Sequence, residues 1–91
     1  MRRISFCPGW FSNAWRVAKV SRYELEVSRR DTDKWLHDIR PDDVTSYVRG
    51  GLGFGQMHSL AFTLDDGERY VMTDLHAEEV ELLIRWCEER L

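Results

Sequence analysis

Apolar and polar positions in this chain follow two different periods. Tyr23, Leu25 and Val27 alternate with charged neighbours, and after the polar run Arg29-Arg30-Asp31-Thr32-Asp33 the alternation resumes at Trp35, His37 and Ile39. A period of two interrupted by turn residues predicts a strand–turn–strand unit, with Trp35, His37 and Ile39 sharing one face. Leu60-Ala61-Phe62-Thr63-Leu64, Asp65-Asp66-Gly67 and Tyr70-Val71-Met72 predict a second hairpin. Its register follows from its faces. A three-residue Asp65-Asp66-Gly67 loop, with Gly67 left-handed, pairs Phe62 with Tyr70 and Leu60 with Met72. A two-residue turn would split these large side chains between faces, so the longer loop is favoured.

From Leu75 to Leu91 the period changes to that of a helix, with Thr73 or Asp74 as the expected N-cap. Val80, Leu83, Ile84, Cys87 and Leu91 form one stripe. Leu75, Leu82 and Trp86 form another, roughly 140° away at about 100° per residue. One stripe closes a small core, and a second asks for cover. Either a partner docks on Leu75, Leu82 and Trp86, or the N-terminal aromatics Trp10, Phe11 and Trp15 fold over them.

Residues 1–22 are ambiguous. Ser12-Asn13 could cap a helix with Ala14, Val17, Ala18 and Ser21 on one face, whereas Trp15 to Val20 is rich in strand formers. The alternation that continues from Tyr23 favours the strand. Pro41-Asp42-Asp43 can start a single helical turn, and Val44 to Val48 has strand chemistry. The expectation is one α+β domain: an uncertain segment 1–22, antiparallel strands over 23–73 in a sheet of five or six, and a C-terminal helix over 74–91.

Composition narrows the classes. The chain has 91 residues and a net charge of −3, with no apolar run of the ~18 residues that a membrane span requires. Pro8-Gly9 interrupts the short apolar stretch after Arg2-Arg3, so no export signal is read and a cytoplasmic setting is expected. Cys7 and Cys87 stand at opposite ends without metal-site spacing and are expected to be buried, unbridged hydrophobes. Charge is unevenly spread. Residues 1–30 carry seven Arg or Lys against two acids, and residues 51–91 carry three Arg against nine acids. The two ends either neutralise each other side by side or present opposite poles to partners.

Candidate chemistry is sparse. Gly50-Gly51-Leu52-Gly53-Phe54-Gly55 lacks the spacing of a dinucleotide fingerprint and the Lys-Ser/Thr of a P-loop, so glycines relieving strain at a bulge or crossing are expected. His37, His58 and His76 share no metal-ligand spacing, and no cofactor is expected. His37 and Asp38, adjacent on a strand, point to opposite faces and make no dyad. The paired acids fit turns and helix ends. Arg16, Lys19 and Arg22 with Trp10 and Trp15 could contact an anionic lipid or a nucleic acid strand, although the acidic overall balance opposes nucleic acid.

From Tyr23 to Ile39, through the Ile39-Arg40-Pro41-Asp42-Asp43-Val44 step, the Asp66-Gly67 hairpin and the Glu78-to-Leu91 helix, the pattern resembles bacterial PH-like domains of the pleckstrin-homology superfold. That resemblance implies antiparallel strands closed at one end by a C-terminal amphipathic helix, acting as a non-enzymatic scaffold for a peptide, protein or lipid. It carries no binding residues across. The leading expectation is a non-catalytic interaction module, self-associating or binding another protein through Leu75, Leu82 and Trp86. A small inhibitor, immunity or phage-type antagonist protein acting through the acidic C-terminal half is the second. An anion binder built on the basic, aromatic N-terminal segment is the third.

Overall fold

The computed structural model describes residues 2–10, 12–50 and 57–89. Seven antiparallel strands and one helix follow in order: β1 (Arg2–Phe6), β2 (Arg16–Val20), β3 (Leu25–Arg29), β4 (Trp35–Ile39), β5 (Val44–Gly50), β6 (His58–Leu64), β7 (Arg69–Leu75) and α1 (Ala77–Glu88). They make two sheets, ordered β1-β2-β3-β4 and β5-β6-β7, so the expected α+β class holds with seven strands. The strand reading of Trp15 to Val20 holds as β2. β1 lay outside the predicted elements, because Arg2 and Arg3 hide its alternation and only Ile4 and Phe6 face inward. Pro41–Asp43 forms a single 3₁₀ turn between the sheets.

The sheets pack face to face. Ile4, Phe6, Ala18, Val20, Leu25, Val27 and Ile39 from one meet Val44, Leu60, Phe62, Met72 and Leu75 from the other. Cys7 and Thr73 join the sheets through a pair of backbone hydrogen bonds, Cys7 N–H to Thr73 O at 3.1 Å and Thr73 N–H to Cys7 O at 2.8 Å.

The second hairpin has the expected register: Phe62 opposes Tyr70, Leu60 opposes Met72, and Gly67 is left-handed at φ 87°. The first differs at one point. A bulge between Val27 and Ser28 sets Trp35 opposite Ser28 rather than in phase with His37. Trp35 therefore lies on the outer face with Asp38, to which its Nε1–H donates at 2.9 Å. An extra residue inverts everything beyond it.

The helix also starts later than its apolar pattern implies. Leu75 ends β7, Asp74 takes φ 61° to break the strand, and His76 is the N-cap, its backbone N–H held by Glu79 Oε1 at 2.9 Å. The two expected stripes merge into one broad buried arc. Val80, Leu83, Trp86 and Cys87 are buried, and Leu82 and Ile84 flank them half-buried. Trp86 shares a face with Leu83 at i+3, and a helix closing the end of two sheets is covered over a wider angle than one lying on a single sheet. Arg90 and Leu91 fall outside the described residues. Among the described residues no helix is long and apolar enough to cross a membrane.

Candidate functional site

The surface expected on the helix is not there. Leu75 is fully buried, and Trp86 is 8% exposed, packed against Phe62 with ring centroids 6.1 Å apart. The Trp86 Nε1–H donates to the Ser21 carbonyl at 2.9 Å. Trp86 is covered by Phe62 on β6 and by the β2–β3 turn, and Phe11 lies outside the described residues. Of the three proposed contact residues only Leu82 keeps part of its surface.

The expected anion contacts do not converge either. Arg16 shares the inner face of β2 with Ala18 and Val20 and acts electrostatically on Tyr70. Lys19 sits on the opposite face of β2, 4.0 Å from Glu26. Arg22 is exposed in the β2–β3 turn, Trp10 is half-buried, and the Trp15 ring is covered by the Arg30 guanidinium at 4.4 Å. Arg3 and Arg30 share a mixed-charge cleft with Asp74 and Glu79, and Arg2 lies 3.9 Å from Glu78. The two poles of the charge gradient thus meet where β1 runs beside β7.

Cys7 and Cys87 are both buried, and neither is in a disulfide. Burial, followed by the Asp74 carboxylate, pushes the Cys7 thiol up to about 11. Among the described residues no three His, Cys, Asp or Glu side chains group to hold a metal ion. The glycine run lies outside the described residues except for Gly50. There a Cβ would fall 1.8 Å from Ser59 Oγ, so the close crossing requires glycine.

What the described surface does offer is the outer edge of the three-stranded sheet. Among the described residues β5 ends that sheet, with β6 as its strand neighbour. A bulge between Val44 and Ser46 turns Thr45 out of the ladder, and its hydroxyl donates to Thr63 O at 3.1 Å. Beyond it Thr45 and Ser46 are exposed, and Val48 is 55% exposed. β5 is held beside α1 where the Arg49 guanidinium donates to Glu81 Oε1, and Tyr47 and Glu88 line the same groove. Burial and the Glu88 carboxylate together raise the Tyr47 hydroxyl above its ordinary value.

Between strand and helix runs a groove of about 420 Å³, lined by Val44, Thr45, Ser46, Tyr47, Cys87 and Glu88. Its Val44 end is acidic. Asp42 and Asp43 immediately precede β5, Asp65 N–H donates to Asp43 O at 2.8 Å, and Glu88 and Glu89 end the helix beside the 3₁₀ turn. Sequence reasoning identified the strand chemistry of Val44 to Val48 but not its edge position, because sheet order is decided by distant pairings. The chain matches no family model, and no curated protein resembles it closely enough to count as a relative.

Proposed function

We propose that this protein is a non-catalytic interaction module that receives an extended, basic segment of another protein along β5. The observation that carries the reading is an edge strand with an exposed apolar residue, Val48, running beside a groove. Strand addition to such an edge draws affinity from main-chain hydrogen bonds and specificity from alternate side chains in the groove. The acids Asp42, Asp43, Asp65, Glu88 and Glu89, with Arg40 and Arg85 nearby, favour a basic occupant. A scaffold of this kind also fits the PH-like resemblance, since antiparallel strands closed by a C-terminal helix are what that resemblance implies. Buried thiols at Cys7 and Cys87 that form no disulfide fit a reducing, cytoplasmic setting.

The test is selection from a displayed library of random 12-residue peptides, followed by amide chemical-shift mapping with an enriched peptide. Lys- or Arg-bearing sequences with alternating apolar residues should emerge, shifting and slowing exchange at the amides of residues 44–49. Reversing Glu88 to Lys together with Asp42 to Lys should slow association about tenfold or more at low salt. Shifts confined to other strands, or sedimentation as a dimer that excludes peptide, would overturn the assignment.

A further inference from the structure

A second cluster lies on the inner faces of the sheets and plays no part in the β5 edge. Tyr70 on β7 meets His37 on β4, with His37 Nε2 2.7 Å from the Tyr70 hydroxyl and the rings edge to face at 5.1 Å and 83°. Arg16, from β2, stands opposite Phe6 and acts electrostatically on the same hydroxyl. Phe6, from β1, closes the cluster with its ring 6.3 Å from that of Tyr70.

Among the described residues β4 is the outer strand of its sheet, paired with β3 and loosened there by the bulge at Val27/Ser28. The Tyr70–His37 bond is therefore a cross-sheet tie on an edge strand. We propose that Arg16, Tyr70 and His37 form a proton-operated clasp that fastens β4 to β7 near neutral pH and releases it on acidification.

The hydrogen-bond inventory gives the mechanism. The Arg16 cation beside Tyr70 turns the hydroxyl oxygen toward positive charge, which leaves the Tyr70 O–H to seek a lone pair. Neutral His37 supplies that lone pair at Nε2. When a proton from solvent adds to Nε2, the nitrogen becomes a donor facing a hydroxyl oxygen that already lies in the field of Arg16. The Tyr70 O–H loses its acceptor, and two cations stand on either side of one oxygen. The groups facing His37 are Val27 from β3, Arg16 from β2, Tyr70 from β7 and, on its own strand, Asp38. Burial and Arg16 hold the imidazole below its ordinary value, and Asp38 opposes them.

Amide hydrogen exchange of residues 35–39 across pH 7.5 to 5, corrected for intrinsic rates, tests the clasp, together with the titration of the His37 ring followed by NMR. His37 should titrate below the ordinary ~6.5. Below that pH the opening of β4 should rise by up to about tenfold per pH unit, as linkage to one proton requires, while β2 and β6 stay closed. His37→Gln should flatten the β4 profile although His58 and His76 remain. Tyr70→Phe, which keeps the ring contacts, should open β4 already at pH 7.5 and raise the His37 midpoint. An unchanged β4 slope in His37→Gln, or a His37 midpoint at or above 6.5, would overturn the proposal. Neither result bears on peptide binding along β5, so the two readings fail separately.

Discussion

The indole of Trp86 reaches the main chain of Ser21, 65 positions earlier, and its Nε1–H donates to the Ser21 carbonyl at 2.9 Å. The bond fastens α1 to the β2–β3 turn, which is ordered in its own right by Ser21 N–H to Glu24 O at 3.0 Å. Trp86 also contributes its ring to the core beside Phe62. Its two roles separate by substitution. Trp86→Phe keeps most of the apolar contact and strands the carbonyl, which should cost about 1–2 kcal/mol. Trp86→Ala also leaves a cavity and should cost about 3–5 kcal/mol. Urea titrations followed by far-ultraviolet circular dichroism measure both. A loss below 1 kcal/mol for the alanine variant would show that the helix does not depend on this side chain.

Two aspartates share an unusual backbone but should respond oppositely to glycine. Asp33 has φ 58° in the exposed β3–β4 turn, and Asp74 has φ 61° at the end of β7. Glycine adopts this region without the Cβ clash. Asp33→Gly should therefore be neutral to stabilising, by up to about 1 kcal/mol. At Asp74 the carboxylate accepts the Thr73 hydroxyl at 2.8 Å. Its loss should outweigh the relief, leaving Asp74→Gly less stable by about 1 kcal/mol or more. Thermal melts of the two variants compare the signs directly.

Cys7 should behave as an inert thiol with an alkaline signature. Burial first, then Asp74, raise its pKa from an ordinary 9.0 to about 11. A raised thiol pKa means that the folded state favours the proton. The contribution is complete below pH 9 and is lost as pH climbs from about 9 through about 11. Folded protein should accordingly resist iodoacetamide at pH 8, and Cys7→Ser should show a shallower fall in stability over that alkaline interval. Rapid alkylation of Cys7 in native buffer would contradict its burial.

How far the sequence could be read depended on local geometry. The Leu60–Met72 hairpin was legible because Phe62, Tyr70, Leu60 and Met72 can share a face in one register only, and Gly67 supplies the turn that register needs. Trp35 was placed on the wrong face because a bulge leaves no mark in an alternating pattern. Leu75 fits the end of a strand as well as the start of a helix, and Asp74 decides between them by its backbone rather than its side-chain type. Trp86 looked surplus because a helical wheel knows nothing of how widely two sheets wrap a helix end. For the candidate site, the strand character of Val44 to Val48 was visible. Its edge position and the acids gathered around Val44 were not, since Asp43, Asp65 and Glu88 come together only through tertiary contacts.

The paired hydrogen bonds between Cys7 and Thr73 span 66 positions and are the stitch between the two sheets. Among the described residues every other strand pairing joins consecutive strands. Hairpins can form early and locally, but this seam waits until the first strand finds the last. During synthesis the four-stranded half would leave the ribosome with its inner face bare. Its apolar side is covered only when β7 arrives and α1 swings over the end, which makes the closing step the moment of greatest exposure to aggregation.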